Sequence, residues 1–178
     1  MNIKEFVRHE KVLFLTVIGV ILFDKITKIA VKHSFLLGES KKVLGNFFRL
    51  TFIENTGIAF GLFSQSSHPL KSIVLLILSL IALYFIISIY IRSEKTFLLQ
   101  ICFGLILGGA FGNVYDRIVY GKVVDFLDFG IGTHRWPFFN IADSSITIGV
   151  IMLVILTTFF QPKQKDKKAR VKKKKRKT

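Results

Sequence analysis

Asp24, Asp116, Asp125 and Asp143, with Asp128 close behind, lie inside or at the edges of long apolar runs. A carboxylate in or near hydrocarbon costs roughly 2.5 to 3.5 kcal/mol on insertion scales, so a chain that keeps several uses them for chemistry or transport. Two carboxylates brought close cannot both ionise cheaply, and such a pair holds one proton near neutral pH and titrates as a unit. Its ionised member can take a proton from an attacking water while its protonated member donates to a scissile carbonyl oxygen. That chemistry requires no metal and no organic cofactor. Cys102 stands alone, which excludes an internal disulfide, and His9, His33, His68 and His134 lack ligand spacing. Ser144 and Ser145 follow Asp143, but no histidine or lysine accompanies them to activate a hydroxyl.

The spacing of the polar residues narrows the candidates. Asn113 precedes Asp116, and Asn140 precedes Asp143, each by three positions, which puts amide and carboxylate on one helix face. For Asn140 and Asp143 a helix-capping role is the alternative, because Asn, Asp and Ser favour first turns. Lys28 follows Asp24 by four residues, so the two can pair on one face. Such a pair either serves a site or only neutralises itself, and in both cases it holds Asp24 ionised and unsuited to act as an acid. Between Asp116 and Asp125 as partner of Asp143, the neighbours tilt the choice to Asp125. Arg117 favours the ionised form of Asp116, whereas Val123, Val124 and Phe126 favour a proton on Asp125. Residues 48–53 predict a short strand, followed by the Asn55–Gly61 segment, which is either a turn or a backbone surface for an extended peptide.

Four apolar runs must position these groups. Residues 12–31, 72–91, 97–115 and 140–160 are each long enough, at about 1.5 Å rise per residue, to cross a hydrocarbon core of roughly 30 Å. The expected fold is a membrane all-α protein. It has four transmembrane helices, a small outward-facing β/loop element, a short second outer loop and both termini cytoplasmic. Asp24–Lys25 interrupts the first run and no small-residue cleavage site follows, so that run is expected to be retained. Residues 1–162 form the expected membrane domain and 163–178 a disordered tail. That tail carries eleven of the Lys and Arg residues against Asp166 alone, and so most of the net charge of +15. It is read as an extension held near anionic lipid headgroups; without an aromatic residue to stack on a base, nucleic-acid binding is not expected. A proton-coupled transporter is the alternative use of membrane carboxylates, but no repeats or broken helices are legible.

Five segments together resemble the ordered motif set of the lipoprotein signal peptidases, the signal peptidase II family. They are Asp24-Lys25-Ile26-Thr27-Lys28, Asn55-Thr56-Gly57-Ile58-Ala59-Phe60-Gly61, Gly112-Asn113-Val114-Tyr115-Asp116-Arg117, Val123-Val124-Asp125-Phe126 and Phe139-Asn140-Ile141-Ala142-Asp143-Ser144. The resemblance implies a multi-pass aspartyl endopeptidase of the bacterial inner membrane with its site toward the periplasm. It would remove signal peptides from diacylglyceryl-modified prolipoproteins, cutting just before the lipidated cysteine. It further implies Asp125 and Asp143 as the catalytic pair, and Arg117 and Asn55 as positions that hold the substrate backbone. Asp24, Lys28, Gly57, Asn113, Asp116 and Asn140 become substrate-binding or supporting positions. The partners implied are lipid-modified prolipoproteins and membrane lipids, with the enzyme a monomer. The basic tail matches no motif of that family.

Overall fold

The computed structural model describes residues 10–56 and 70–159. Residues 57–61 of the Asn55–Gly61 motif, Gly57 among them, lie outside the described residues, as does the basic tail from Lys163. In chain order the elements are α1 (Lys11–Ser34), β1 (Ser40–Leu44), β2 (Phe48–Asn55), α2 (Leu70–Arg92), α3 (Phe97–Tyr120), β3 (Val123–Ile131), β4 (His134–Arg135) and α4 (Ile141–Phe159).

The expectation of four transmembrane helices is corrected. Among the described residues three helices are long and apolar enough to cross a membrane: Ile73–Arg92 within α2, Phe97–Tyr120 and Ile141–Phe159. The helix that does not qualify is α1, because Asp24, Lys25 and Lys28 fall within every 18-residue stretch of it. Its length and its apolar residues were legible; the weight of three clustered charges was not given its due. Two of those charges are turned inward, Asp24 at 1% and Lys28 at 3% exposure, while Leu15, Leu22, Phe23 and Ile26 on the same helix are exposed. The expected small β/loop element is instead a four-stranded antiparallel sheet in the order β1-β2-β3-β4. Its third strand lies in what the sequence predicts as a short outer loop.

α3 is the hub of the bundle and packs on α1, α2 and α4. Thr96 caps its start by accepting from the Leu99 N–H at 3.3 Å, and Gly121 in the left-handed conformation ends it, returning its N–H to the Arg117 carbonyl. The helix thus runs five residues past the predicted end at Tyr115, which puts Asp116 and Arg117 on its last turns. At the far end of the bundle the Tyr90 hydroxyl donates to the Glu10 carboxylate, and the Leu13 N–H donates to Gln100 Oε1 at 3.2 Å, clamping α1, α2 and α3 together.

The contact between α3 and α4 depends on Gly109. A Cβ there would sit 2.3 Å from the Ala142 carbonyl oxygen, and a backbone atom cannot move aside as a side-chain tip can. Small residues at a helix seam let two backbones approach in this way. Gly109→Ala is therefore expected to cost about 1–3 kcal/mol through overpacking, read as a lowered thermal midpoint in detergent. Gly19→Ala, with open space around the added methyl, is the matched control. Equal midpoints for the two variants would show that the seam is slack.

The sheet presents its apolar side to α1. Val31 packs with Phe52, Val124 and Phe126, and with Phe35, Leu50, Leu127 and Ile141 around them. The β2–β3 register runs Phe48↔Phe129 to Leu50↔Leu127, then shifts so that Ile53 faces Asp125 and Asn55 faces Val123. Bulges of this kind re-aim side chains beside functional sites. Phe126 and Leu127 both donate their N–H groups to the Phe139 carbonyl, at 3.0 and 2.8 Å, which stitches the segment before α4 to β3. Asn140 is thereby brought beside Asp125.

Candidate active site

Asp125, 2% exposed on β3, accepts from two amides: Asn55 Nδ2 reaches Oδ2 and Asn140 Nδ2 reaches Oδ1, each at 2.7 Å. Asp143 lies in the first turn of α4. Its backbone N–H donates to Asn140 Oδ1 at 3.0 Å, its Oδ2 accepts from the Asn140 N–H at 3.2 Å, and its Oδ1 accepts from Asn113 Nδ2 at 2.8 Å. The first two bonds form a reciprocal capping box. The capping and site readings of Asn140 and Asp143 are thus not alternatives, because the cap itself orients the Asp143 carboxylate and leaves the Asn140 amide free to reach Asp125.

A second layer of charge holds these amides. Lys28 directs Nζ to Asp24 Oδ2 at 2.7 Å, Asp116 Oδ2 at 2.7 Å and Asn113 Oδ1 at 3.1 Å, matching three acceptors to its three protons. Asn113 Oδ1 also receives Asn140 Nδ2 at 3.3 Å. Asp24 Oδ1 accepts from the Ala142 N–H at 2.9 Å, so a carboxylate on α1 caps the start of α4. The other oxygen of Asp116 is taken by Lys25 at 2.9 Å, and Lys25 in turn lies over the Tyr115 ring, 4.3 Å from its centroid.

Asp125 and Asp143 line one cavity of about 470 Å³ together with Asn55, Asn113, Arg117, Trp136, Phe139 and Ile148. Burial pushes the Asp125 carboxyl up to about 7, the neighbouring charge of Asp143 adds to it, and the Asn55 and Asn140 amides oppose it. Ser144 and Ser145 spend their hydroxyls on the carbonyls of Asn140 and Ile141, both at 2.8 Å. Among the described residues no group of three or more His, Cys, Asp or Glu converges as a metal site.

Residues 16–160 match the family model described as signal peptidase (SPase) II. The chain belongs to the signal peptidase II family. It is 41% identical over 146 residues to the lipoprotein signal peptidase of Syntrophus aciditrophicus (strain SB), a match spanning 81% of this chain and 91% of that relative. With the lipoprotein signal peptidase of Burkholderia mallei (strain SAVP1) it shares 44% over 135 residues, 76% of this chain and 80% of the relative. A solved bacterial membrane enzyme, determined by the in meso method, superposes with a TM-score of 0.73 at 33% identity, covering 85% of this chain and 92% of that one. This family member is a membrane protease, and the transporter alternative is set aside.

Of the site residues expected from the sequence, the structure brings Asp24, Lys28, Asn55, Asn113, Asp116, Arg117, Asp125, Asn140 and Asp143 into one bonded or adjoining set. Asp116 owes its pairing to Lys25 and Lys28 rather than to adjacent Arg117. The Asn55 amide donates to the Asp125 carboxylate. Asp128 belongs elsewhere: it pairs with Arg135 and accepts from the Thr51 hydroxyl at 3.0 Å. Sequence reasoning in this signal peptidase II family member missed Trp136, and it gave Lys25 and Phe139, though they stand in two of the motifs, no role at the site. Lys25 carries no helical spacing to Asp116. Trp136, the chain's single tryptophan, was the available signal, since an exposed Trp beside membrane segments marks an interface.

Proposed function

We propose that this chain is an aspartic endopeptidase of the bacterial inner membrane, its site toward the outer side, that removes signal peptides from diacylglyceryl-modified prolipoproteins. Cleavage falls just before the lipidated cysteine. Family membership carries removal of signal peptides from prolipoproteins. The observation that supports the aspartic mechanism is that Asp125 and Asp143 face one cavity and are joined through a single residue, Asn140. The pair shares one proton. Its ionised member takes a proton from water as the water oxygen attacks the scissile carbonyl carbon, and its protonated member gives its proton to the carbonyl oxygen. Collapse of the tetrahedral species breaks the C–N bond, with a proton returned to the leaving nitrogen. Arg117 lines the same cavity and in this reading would hold substrate backbone.

The test is cleavage of a lipid-modified precursor by purified protein in detergent, followed across pH. Asp125 is raised, so the shared proton is present below about 7 and is lost as pH rises through that value. The rate is expected to fall about tenfold per pH unit on the alkaline side, and to fall again in acid once both carboxyls are protonated. Globomycin, the cyclic peptide inhibitor of this family, should abolish the activity. A rate undiminished at pH 9, or loss in chelator restored by zinc, would overturn the mechanism.

A further inference from the structure

Beside the carboxylate cavity lies a second, apolar groove of about 520 Å³ at the free end of the sheet. Its floor is a run of aromatic rings. Phe129 stacks on Phe48 at 4.5 Å between centroids and on Phe139 at 5.8 Å, with Phe47 edge-on at 5.6 Å. Phe48 is on the same side of β2 as Leu50 and Phe52, which pack toward α1, so the groove prolongs the sheet's apolar side. Ile131, Trp136 and Phe47 on its rim are 77%, 63% and 53% exposed. A contiguous exposed patch of this kind marks a binding or membrane-contact site. The charged group at the rim, Arg135, is already committed to the Asp128 carboxylate and to the carbonyls of Asp128 and Asn46. Beyond Arg135 the polar side-chain groups of the lining are the His134 imidazole and the Trp136 indole N–H, too few to pair the backbone of an extended peptide.

The two spaces share a wall. Trp136 and Phe139 line both, and Phe139 immediately precedes Asn140, which holds Asp125. A lipoprotein precursor carries its lipid on the residue beside the bond to be cut, so its acyl chains leave the peptide within a few bonds of the carboxylates. We propose that the apolar groove receives an acyl chain of the substrate lipid while the peptide occupies the carboxylate cavity. The assignment rests on the function proposed above. The occupant is the substrate's chain rather than bulk lipid, because the groove adjoins the catalytic space and is of the size of specific ligand sites, roughly 300–1,000 Å³.

The experiment compares two precursors that differ only in lipid, one with two sixteen-carbon chains and one with two acetyl groups, in wild type and Ile131→Asp. Ile131 lies on the groove and not on the carboxylate cavity, and its exposure makes the change tolerable to the fold. Wild type should prefer the long-chain precursor, and Ile131→Asp should lower the long-to-short ratio of kcat/KM at least tenfold, chiefly through KM. An unchanged ratio, or equal loss on both precursors, overturns the groove assignment while leaving the function intact. Failure of wild type to cut either precursor overturns the function itself. In a second arm, a precursor with a diazirine in its acyl chain is irradiated on Asp125→Asn protein, and adducts are expected between residues 129 and 139. Adducts confined to other surfaces, or labelling of the groove by a diazirine phospholipid that the precursor does not displace, would also overturn it.

Discussion

Asp125→Asn and Asp143→Asn are each expected to abolish cleavage of a lipid-modified precursor, lowering kcat by at least about 10³-fold, while the protein stays folded. The size follows from general acid–base catalysis, worth about 10²–10⁴-fold, and from the loss of both its halves when one carboxyl can no longer share a proton. Asparagine is nearly isosteric with aspartate, and at 125 the amide ladder can re-form by turning the Asn55 amide over; at 143 one hydrogen bond is lost, because Lys28 and Asn140 hold the Asn113 amide in its present sense. Asp128→Asn is the control on the same strand: it weakens the bond to Arg135 outside the cavity and should leave kcat within about threefold. Both active-site variants are measured for turnover and for thermal midpoint in the same detergent. Full turnover by Asp125→Asn, with Asp116→Asn inactive, would move the acid to α3 and sink the pair as assigned. The occupied state of Asp116, with a lysine on each oxygen, argues against that outcome.

Lys28→Met has the largest expected effect on stability. It removes the cation that Asp24, Asp116 and Asn113 all face, in a place where Lys28 is 3% exposed. Breaking a buried ion pair by deleting one partner costs about 3–5 kcal/mol, because the remaining charge stays buried without compensation. For a chain of this size that corresponds to a fall of roughly 6–20 °C in the thermal midpoint. Asp116 keeps Lys25, so the uncompensated group is Asp24, and Asp24→Asn added to Lys28→Met should recover part of the loss. A thermal midpoint for Lys28→Met within a degree of wild type would mean that the network is ornamental to the fold.

The sequence carried the helices and the chemistry better than it carried the architecture between them. The helical spacings at Asn113/Asp116, Asn140/Asp143 and Asp24/Lys28 were legible because a repeat of three or four residues is a local signal. Each proved to be part of one network. The bonds that join them were not legible: Lys25 to Asp116 spans 91 residues and Asp24 to Ala142 spans 118, and neither leaves a periodic trace. β3 was hidden for another reason. Phe126 and Leu127 both answer to the Phe139 carbonyl, an irregularity that breaks the alternation by which a strand is read. β4, two residues long, has no pattern to find. The membrane count erred at α1, where charges that the fold turns inward were weighed as if a long apolar run could absorb them.

The bond from Asp24 to the first turn of α4 bears on how the enzyme is born. On the assignment made here, one acid leaves the ribosome on β3 and the other only with α4, whose start is set by a cap waiting on α1 and an amide waiting on α3. Until that last helix docks, Asp125 has neither its partner nor the Asn140 amide. A nascent chain is therefore unable to cut anything, its own neighbours in the membrane included. Docking of α4 and completion of the carboxylate pair are thus one event.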